Sequence, residues 1–322
     1  MNFKLVTLIL SATACLVMPF TFAQEIVSDV TASNQMNCYV NGYFLQACAA
    51  RYTTRPVTNG SNKGKLSILT NTMFKNYDAK NGAVVTLGNR FWLLGGEGTV
   101  NNKRWQSTDT VLTGIVDANG KVKDLKEVRK LPYASRGCKA YLHNNRIYFL
   151  GGYNRRDFVV ADIKENGELG EWKQLPSYPN VVYNGGLTLY KGCFYANGQS
   201  TWKSGSDKMY ALKLKADGTT AKKWERVESP EKAQGHLIVH KDALYYLDEL
   251  SGNIYKTTQD EDGVQLNEWT VAGKTPFAPN TRQTAITKVP GGWLIMGGFL
   301  PLKNKKFAGF FKGVFLPETT LK

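Results

Sequence analysis

The sequence is poor in the residues that support metal and nucleophile chemistry. Only three histidines occur in 322 residues, His143, His236 and His240, too few and too scattered for a metal cage. His236 and His240 fall within one predicted strand, where a core or edge position suits both. There is no Gly-x-Ser-x-Gly elbow and no phosphate-binding loop, so neither a hydrolase serine nor a nucleotide site is predicted. No metal and no cofactor is expected. Beyond the first twenty residues no apolar run is long enough to span a membrane, and there is no low-complexity tract. Acidic residues are in deficit, with 26 Asp+Glu against 41 Lys+Arg and a formal charge of +15. That balance favours an acidic sugar or anionic glycan, or an anionic lipid head group, as partner. No aromatic-basic nucleic-acid motif accompanies the charge, and nucleic acid is not expected as a partner.

What is present begins with a leader. Lys4, the apolar stretch Leu5 to Phe20 and the small residues ending at Ala23 predict a secretory signal peptide over 1–23. Its rival, an uncleaved anchor, is disfavoured because the run is short and Pro19 interrupts it. The remaining residues, 24–322, are expected to form one domain, periplasmic or secreted, with no stable membrane insertion after cleavage. Losing Lys4 leaves 40 Lys+Arg against 26 Asp+Glu, a charge of +14. Four cysteines remain, and an even count in an exported chain permits two disulfides. Cys38 and Cys48 flank a strand pair turning at Asn41-Gly42 and could bridge. Cys138 and Cys193, in neighbouring units, either bridge or stay buried as thiols.

Arg136 to Pro179 is the unit from which the rest of the chain is read. It contains four short apolar runs: Cys138–Leu142, Arg146–Leu150, Phe158–Ile163, and one carrying Trp172. Polar turns separate them, and β-branched or aromatic runs bounded in this way predict strands. The unit recurs. Gly95-Gly96, Gly151-Gly152 and Gly297-Gly298 each follow a hydrophobic strand, with a weaker copy at Asn197-Gly198. Turns ending at Gly120, Gly167, Gly218 and Gly263 lie 47, 51 and 45 residues apart. Trp172, Trp224 and Trp269 follow three of those turns. Four strands in a period near 50 predict a β-propeller. The expected blades cover about 34–75, 76–132, 133–179, 180–232, 233–278 and 279–318. A count of five, with 34–75 as closure and decoration, is the rival. Residues 25–31 or the C-terminal tail are expected to complete the last blade.

In a propeller the starts of the first strands and the segments after the second strands share one mouth of the central channel. Aligning the starts gives a polar column: Asn34, Asn81, Arg136, Asn184, Gln234 and Arg282. The loops on that face add Glu97, Arg104 and Trp105, then Tyr153, Arg155 and Arg156, then Trp202 and Lys203, and finally Lys303. Guanidiniums bind carboxylates through paired donors, and flat aromatics such as Trp105 and Trp202 offer faces to sugar rings.

The double glycine after a hydrophobic strand and the later Trp resemble the kelch-repeat family, which implies an all-β, six-bladed kelch-type β-propeller. Size, leader, blade number and basic channel together resemble the bacterial N-acetylneuraminate epimerases, or sialate mutarotases. Glu97-Gly98-Thr99 through Arg104, followed by Thr108-Asp109, is similar to the blade loop that carries a Glu and an Arg in that family. The resemblance implies an isomerase of an acidic sugar, with Glu97 and Arg104 catalytic. Mutarotation needs one proton donor-acceptor near the ring oxygen and an anchored carboxylate. Arg136, Arg282, Asn81, Asn184, Gln234, Trp105 and Trp202 are the expected substrate contacts. The alternative is a non-catalytic propeller that binds a glycan or a protein through the same mouth.

Overall fold

The structure, a computed structural model, describes residues 36–48, 51–56, 67–70, 77, 80–100, 103–199, 208–230, 234–261, 263–301, 307–310 and 314–321. For 48, 51–56, 67–70, 104, 199, 299, 301 and 307–310 this covers the backbone alone. The expected leader, the candidate closing strand 25–31, Asn34, Trp202, Lys203 and Lys303 lie outside the described residues.

Sheet one holds β1 (Met36–Val40), β2 (Tyr43–Cys48), β3 (Arg51–Pro56) and β4 (Ser67–Thr70). Sheet two begins with β5 (Ala83–Leu87) and β6 (Arg90–Leu94). A separate hairpin, β7 (Glu97–Val100) and β8 (Lys103–Ser107), then precedes its outer strands β9 (Val111–Val116) and β10 (Val122–Glu127). Sheet three holds β11 (Lys139–His143), β12 (Arg146–Gly152), β13 (Arg155–Asp162) and β14 (Lys173–Leu175). Sheet four holds β15 (Tyr183–Tyr190), β16 (Cys193–Gln199), β17 (Met209–Lys213) and β18 (Glu225–Val227). Sheet five holds β19 (Gly235–His240), β20 (Ala243–Asp248), β21 (Asn253–Thr257) and β22 (Thr270–Lys274). These five are antiparallel meanders. In the sixth, β23 (Arg282–Val289) pairs one side of the long β24 (Gly292–Pro301). Two short strands, β25 (Phe307–Phe310) and β26 (Val314–Pro317), share its other side.

The second strands read as unbroken apolar runs because both of their faces are covered. On β6, Phe91 and Leu93 pack against Met36, Cys38 and Leu45 of sheet one. Trp92 and Leu94 point the other way, onto Ile147 and Phe149 of sheet three. The two-residue strand period thus divides each run between two neighbours. The same division continues through sheets three, four, five and six. A final cluster joins Val289, Leu294 and Met296 of sheet six to Phe44 of sheet one. The innermost strands follow one another around an axis, and β23 returns to lie beside β1. There the Thr287 hydroxyl donates to the Asn37 carbonyl at 3.1 Å. The architecture is an all-β propeller.

The recurrent turns explain how the blades register. In each, the glycine N–H donates to the carbonyl three residues back: Gly120 to Asp117, Gly167 to Lys164, Gly218 to Lys215 and Gly263 to Asp260. All four glycines have φ between 77° and 84°, a left-handed conformation that costs glycine least. Each turn then latches onto the preceding sheet. The Tyr43 hydroxyl donates to Ala118 O at 3.0 Å, Trp92 Nε1 to Gly167 O at 3.0 Å and Tyr195 OH to Val264 O at 2.8 Å. The later indoles make a second latch: Trp172 Nε1 donates to Lys130 O, Trp224 to Pro176 O and Trp269 to Glu228 O.

Neither candidate disulfide forms, since Cys38, Cys138 and Cys193 are free and buried. Register and packing explain this. Cys38 stands opposite Leu45 while Cys48 stands opposite Arg51. Cys138 and Cys193 pack into different inter-sheet clusters. Burial pushes the Cys138 thiol up to about 12.

Candidate functional site

The structure re-registers the polar column at the channel mouth. The Glu97 N–H donates to Lys80 O, the Tyr153 N–H to Arg136 O and the Glu249 N–H to Gln234 O. Lys80 and Arg136 are therefore equivalent, with Tyr183 and Arg282 in the same place by strand register. Asn81 and Asn184 belong one position further on, alongside Gly137, Gln234 and Gln283. Asn81, Gly137, Asn184 and Gln283 have φ of 60°, 66°, 52° and 61°. Asparagine tolerates that left-handed region better than most side chains. Reading the starts in one column merges two adjacent strand positions, one of them left-handed in most blades, because both select polar residues. Backbone bonds carry this second ring around the mouth: Gly137 N to Asn81 O at 2.5 Å and Asn184 N to Gly137 O at 3.0 Å.

Glu97 opens β7 immediately after Gly95-Gly96, whose backbone adopts φ of 61° and 105° to make the turn. Its side chain is not a solvated loop carboxylate, as only 7% of the residue is exposed. Asn81 Nδ2 donates to Glu97 Oε1 at 2.6 Å, and Arg136 Nη1 lies 3.8 Å from the same oxygen. Arg136 Nη1 also donates to the Trp105 carbonyl at 2.5 Å. Its guanidinium stands 4.8 Å from the centre of the Tyr153 ring, a cation–π contact. Tyr153 in turn meets Tyr183 edge-on at 5.6 Å. Burial pushes the Tyr183 phenol up, against the pull of Arg136. Trp105 is 62% exposed and adopts φ of 58°, a rare conformation for a bulky side chain. Hairpin β7–β8 thus delivers a buried carboxylate and the Trp105 carbonyl to one guanidinium. Polar capacity is left over: Arg136 Nε, Asn184 Nδ2 and Asn81 Oδ1 are buried without partners in the structure.

Across the mouth stands a second buried carboxylate that the sequence reading did not select. Asp248-Glu249 occupies the place taken by the double glycine in other blades. Glu249 accepts from Thr284 N at 2.7 Å, Thr284 Oγ1 at 2.6 Å, Gln283 N at 3.1 Å and Gln234 Nε2 at 3.3 Å. His236 Nε2 lies 3.6 Å from Glu249 Oε1 and 2.9 Å from Thr284 Oγ1. Burial pushes the Glu249 carboxyl up. The neighbouring His236 and the Thr284 donors outweigh that and hold it below its ordinary value. Acid in place of a glycine pair was the available signal. Gln234 is fully enclosed in this network, with 1% exposure, and ties sheet five to sheet six.

The structure therefore brings Glu97, Asn81, Arg136, Tyr153 and Trp105 together, with Asn184 beside them through the Gly137 bond. Gln234 belongs to the Glu249 network, and Arg282 begins β23 next to it. Arg104 lies on β8 between Lys103 and Trp105, with only its backbone described. Below the mouth runs a tunnel of about 180 Å³, bounded by Met36, Ala83, Lys139, Gly186, His236 and Ala285 among others.

Fold and site together define a β-propeller with a polar, arginine-bearing channel mouth. No protein-family model matches the sequence, and no curated protein sequence matches it. Many solved structures do match. One of these is the structure of YjhT, similar over 90% of this chain and 96% of that one, with a TM-score of 0.66 and 11% identity. At that identity the shared property is the propeller fold.

Proposed function

We propose that this chain is an exported, six-bladed kelch-type propeller that interconverts the anomers of an acidic sugar of the N-acetylneuraminate class. The observation that carries the reading is the Glu97–Arg136 pair, 3.8 Å apart and held at the channel mouth. Glu97 is the candidate proton donor-acceptor, since mutarotation moves one proton between the ring oxygen and the anomeric hydroxyl. Arg136 is the candidate anchor for the sugar carboxylate, with Arg104 and Arg282 as further guanidiniums of the same mouth. Asn81, Asn184 and Gln234 frame the opening, and Trp105 and Trp202 are candidate walls against the sugar ring. Residues 1–23 act as the export leader in this reading, and the protein works in the periplasm or outside the cell. It uses no cofactor.

The exposure of Trp105 and Tyr153, 62% and 45%, favours a second reading. In it the mouth is a platform that holds a glycan and does no chemistry. One experiment separates the two. Exchange between the anomers of N-acetylneuraminate is followed by NMR with and without the protein. The first reading expects acceleration, with Glu97→Gln reducing it by about 10²–10⁴-fold while binding persists. Binding without acceleration leaves the platform reading, and no binding of any acidic sugar overturns both.

A further inference from the structure

The tunnel beneath the mouth carries an inference that does not depend on the sugar. All six innermost strands contribute to its wall, and the ionisable residues of that wall are Lys139 on β11 and His236 on β19. Among the described residues no carboxylate lines it. The Lys139 ammonium has no hydrogen-bond or ion-pair partner among the described residues. Glu249 is the acid whose charge reaches it, but the Glu249 oxygens are engaged by Thr284, Gln283 and Gln234. Cys138, next in the chain, is a neutral thiol pushed up to about 12 by burial.

His236 supplies the other half. The Thr284 hydroxyl has a single proton and directs it at Glu249 Oε1, 2.6 Å away. Thr284 Oγ1 can then only accept from His236 Nε2, which fixes the proton on that nitrogen. Nδ1 is left with no partner among the described residues, as a place for a second proton and a ligand. Lys139 is half-buried in the tunnel wall. Burial pushes its ammonium down, and one negative charge beside it offsets that cost.

We propose that the tunnel holds a small monovalent inorganic anion of the halide type, bound by the Lys139 ammonium and the His236 ring. In that position the anion ties sheet three to sheet five and supplies a negative charge to a wall whose described residues include no carboxylate.

The probe is bromide, exchanged for the HEPES anion at constant ionic strength. The wild-type unfolding midpoint is expected to rise saturably with bromide. A crystal grown with bromide is expected to show an anomalous peak within hydrogen-bond distance of Lys139 Nζ. Lys139→Met should weaken the apparent bromide affinity at least tenfold, whereas Arg136→Ala, altered at the mouth, should retain it. Because the anomalous peak is read on the wild type, a Lys139 variant that fails to fold does not spoil the test. A tunnel filled by water alone, or a bromide response unchanged in Lys139→Met, overturns the proposal. Acidic-sugar binding plays no part in either readout, so the two proposals fail separately.

Discussion

Arg136 is the residue at which function and folding can be told apart. It bonds a carbonyl and an aromatic face at the mouth, and it also pairs with the buried Glu97, which keeps its Asn81 bond when the guanidinium goes. Arg136→Ala is expected to weaken acidic-sugar binding by about 1.5–3 kcal/mol, the scale of a hydrogen bond to a charged group. Stability should fall by about 1–3 kcal/mol, since Glu97 loses its cation but keeps its Asn81 bond. Calorimetry and thermal melting of the same variant check both, and a large drop in melting point with unchanged affinity sinks the binding role. Glu249 is the opposite case, a carboxylate buried under four donors. Its folded pKa is depressed below the ordinary 4.5, so its stabilisation is complete above that value. It is lost as the pH falls through the lower folded value. Glu249→Gln should cost about 3–5 kcal/mol at neutral pH, because the replacement cannot accept from every donor. Denaturant melts between neutral pH and about pH 3 should show a shallower acid slope in the variant. An unchanged slope would mean that Glu249 is not charged in the fold.

Among the strands and turns, the indole latches are what convert a repeat into a ring of sheets. Trp224 is 6% exposed and bonds to Pro176 O at 2.8 Å, whereas the Trp172 bond to Lys130 O at 2.9 Å is exposed. The two latches are alike in geometry and differ in access to water. Trp224→Phe leaves a carbonyl without its donor in a part-buried place and should cost about 1–3 kcal/mol. Trp172→Phe lets water take over and should cost at most about 1 kcal/mol. Equal losses in urea titrations would show that the indoles act by packing and not through their N–H groups. The inserted hairpin is the other element that matters. It lengthens one connection of sheet two and so brings Glu97 and Trp105 to Arg136 of the next sheet.

The molecule as a whole stands on the seam between its last sheet and its first. Met296 is buried there with Phe44, Val289 and Leu294. Met296→Ala opens a cavity at the seam and should cost about 2–5 kcal/mol. If the closed ring unfolds as one unit, circular dichroism and tryptophan fluorescence will report coincident transitions in both proteins. A separate early transition in the variant would show that sheet six detaches alone.

Much of this was written in the chain. Glycine pairs, Asn-Gly and Asp-Gly turns and the following tryptophans encode strand ends and turns through local backbone preference, so the sequence alone determined the repeat and its boundaries. It also brought Glu97 and Arg136 to the same mouth, because propeller topology assigns loops to faces. Local preference could not separate the column of side chains reaching the mouth from the left-handed column beside it, since asparagine satisfies both. Nor could it show that Cys138 and Cys193 pack into different interfaces, or that His236, Glu249 and Thr284 share one network. Those depend on which sheets meet around the axis. The burial of Glu97 and the place of Lys139 in the tunnel wall likewise depend on contacts between residues far apart in sequence, and only the tertiary structure decides them.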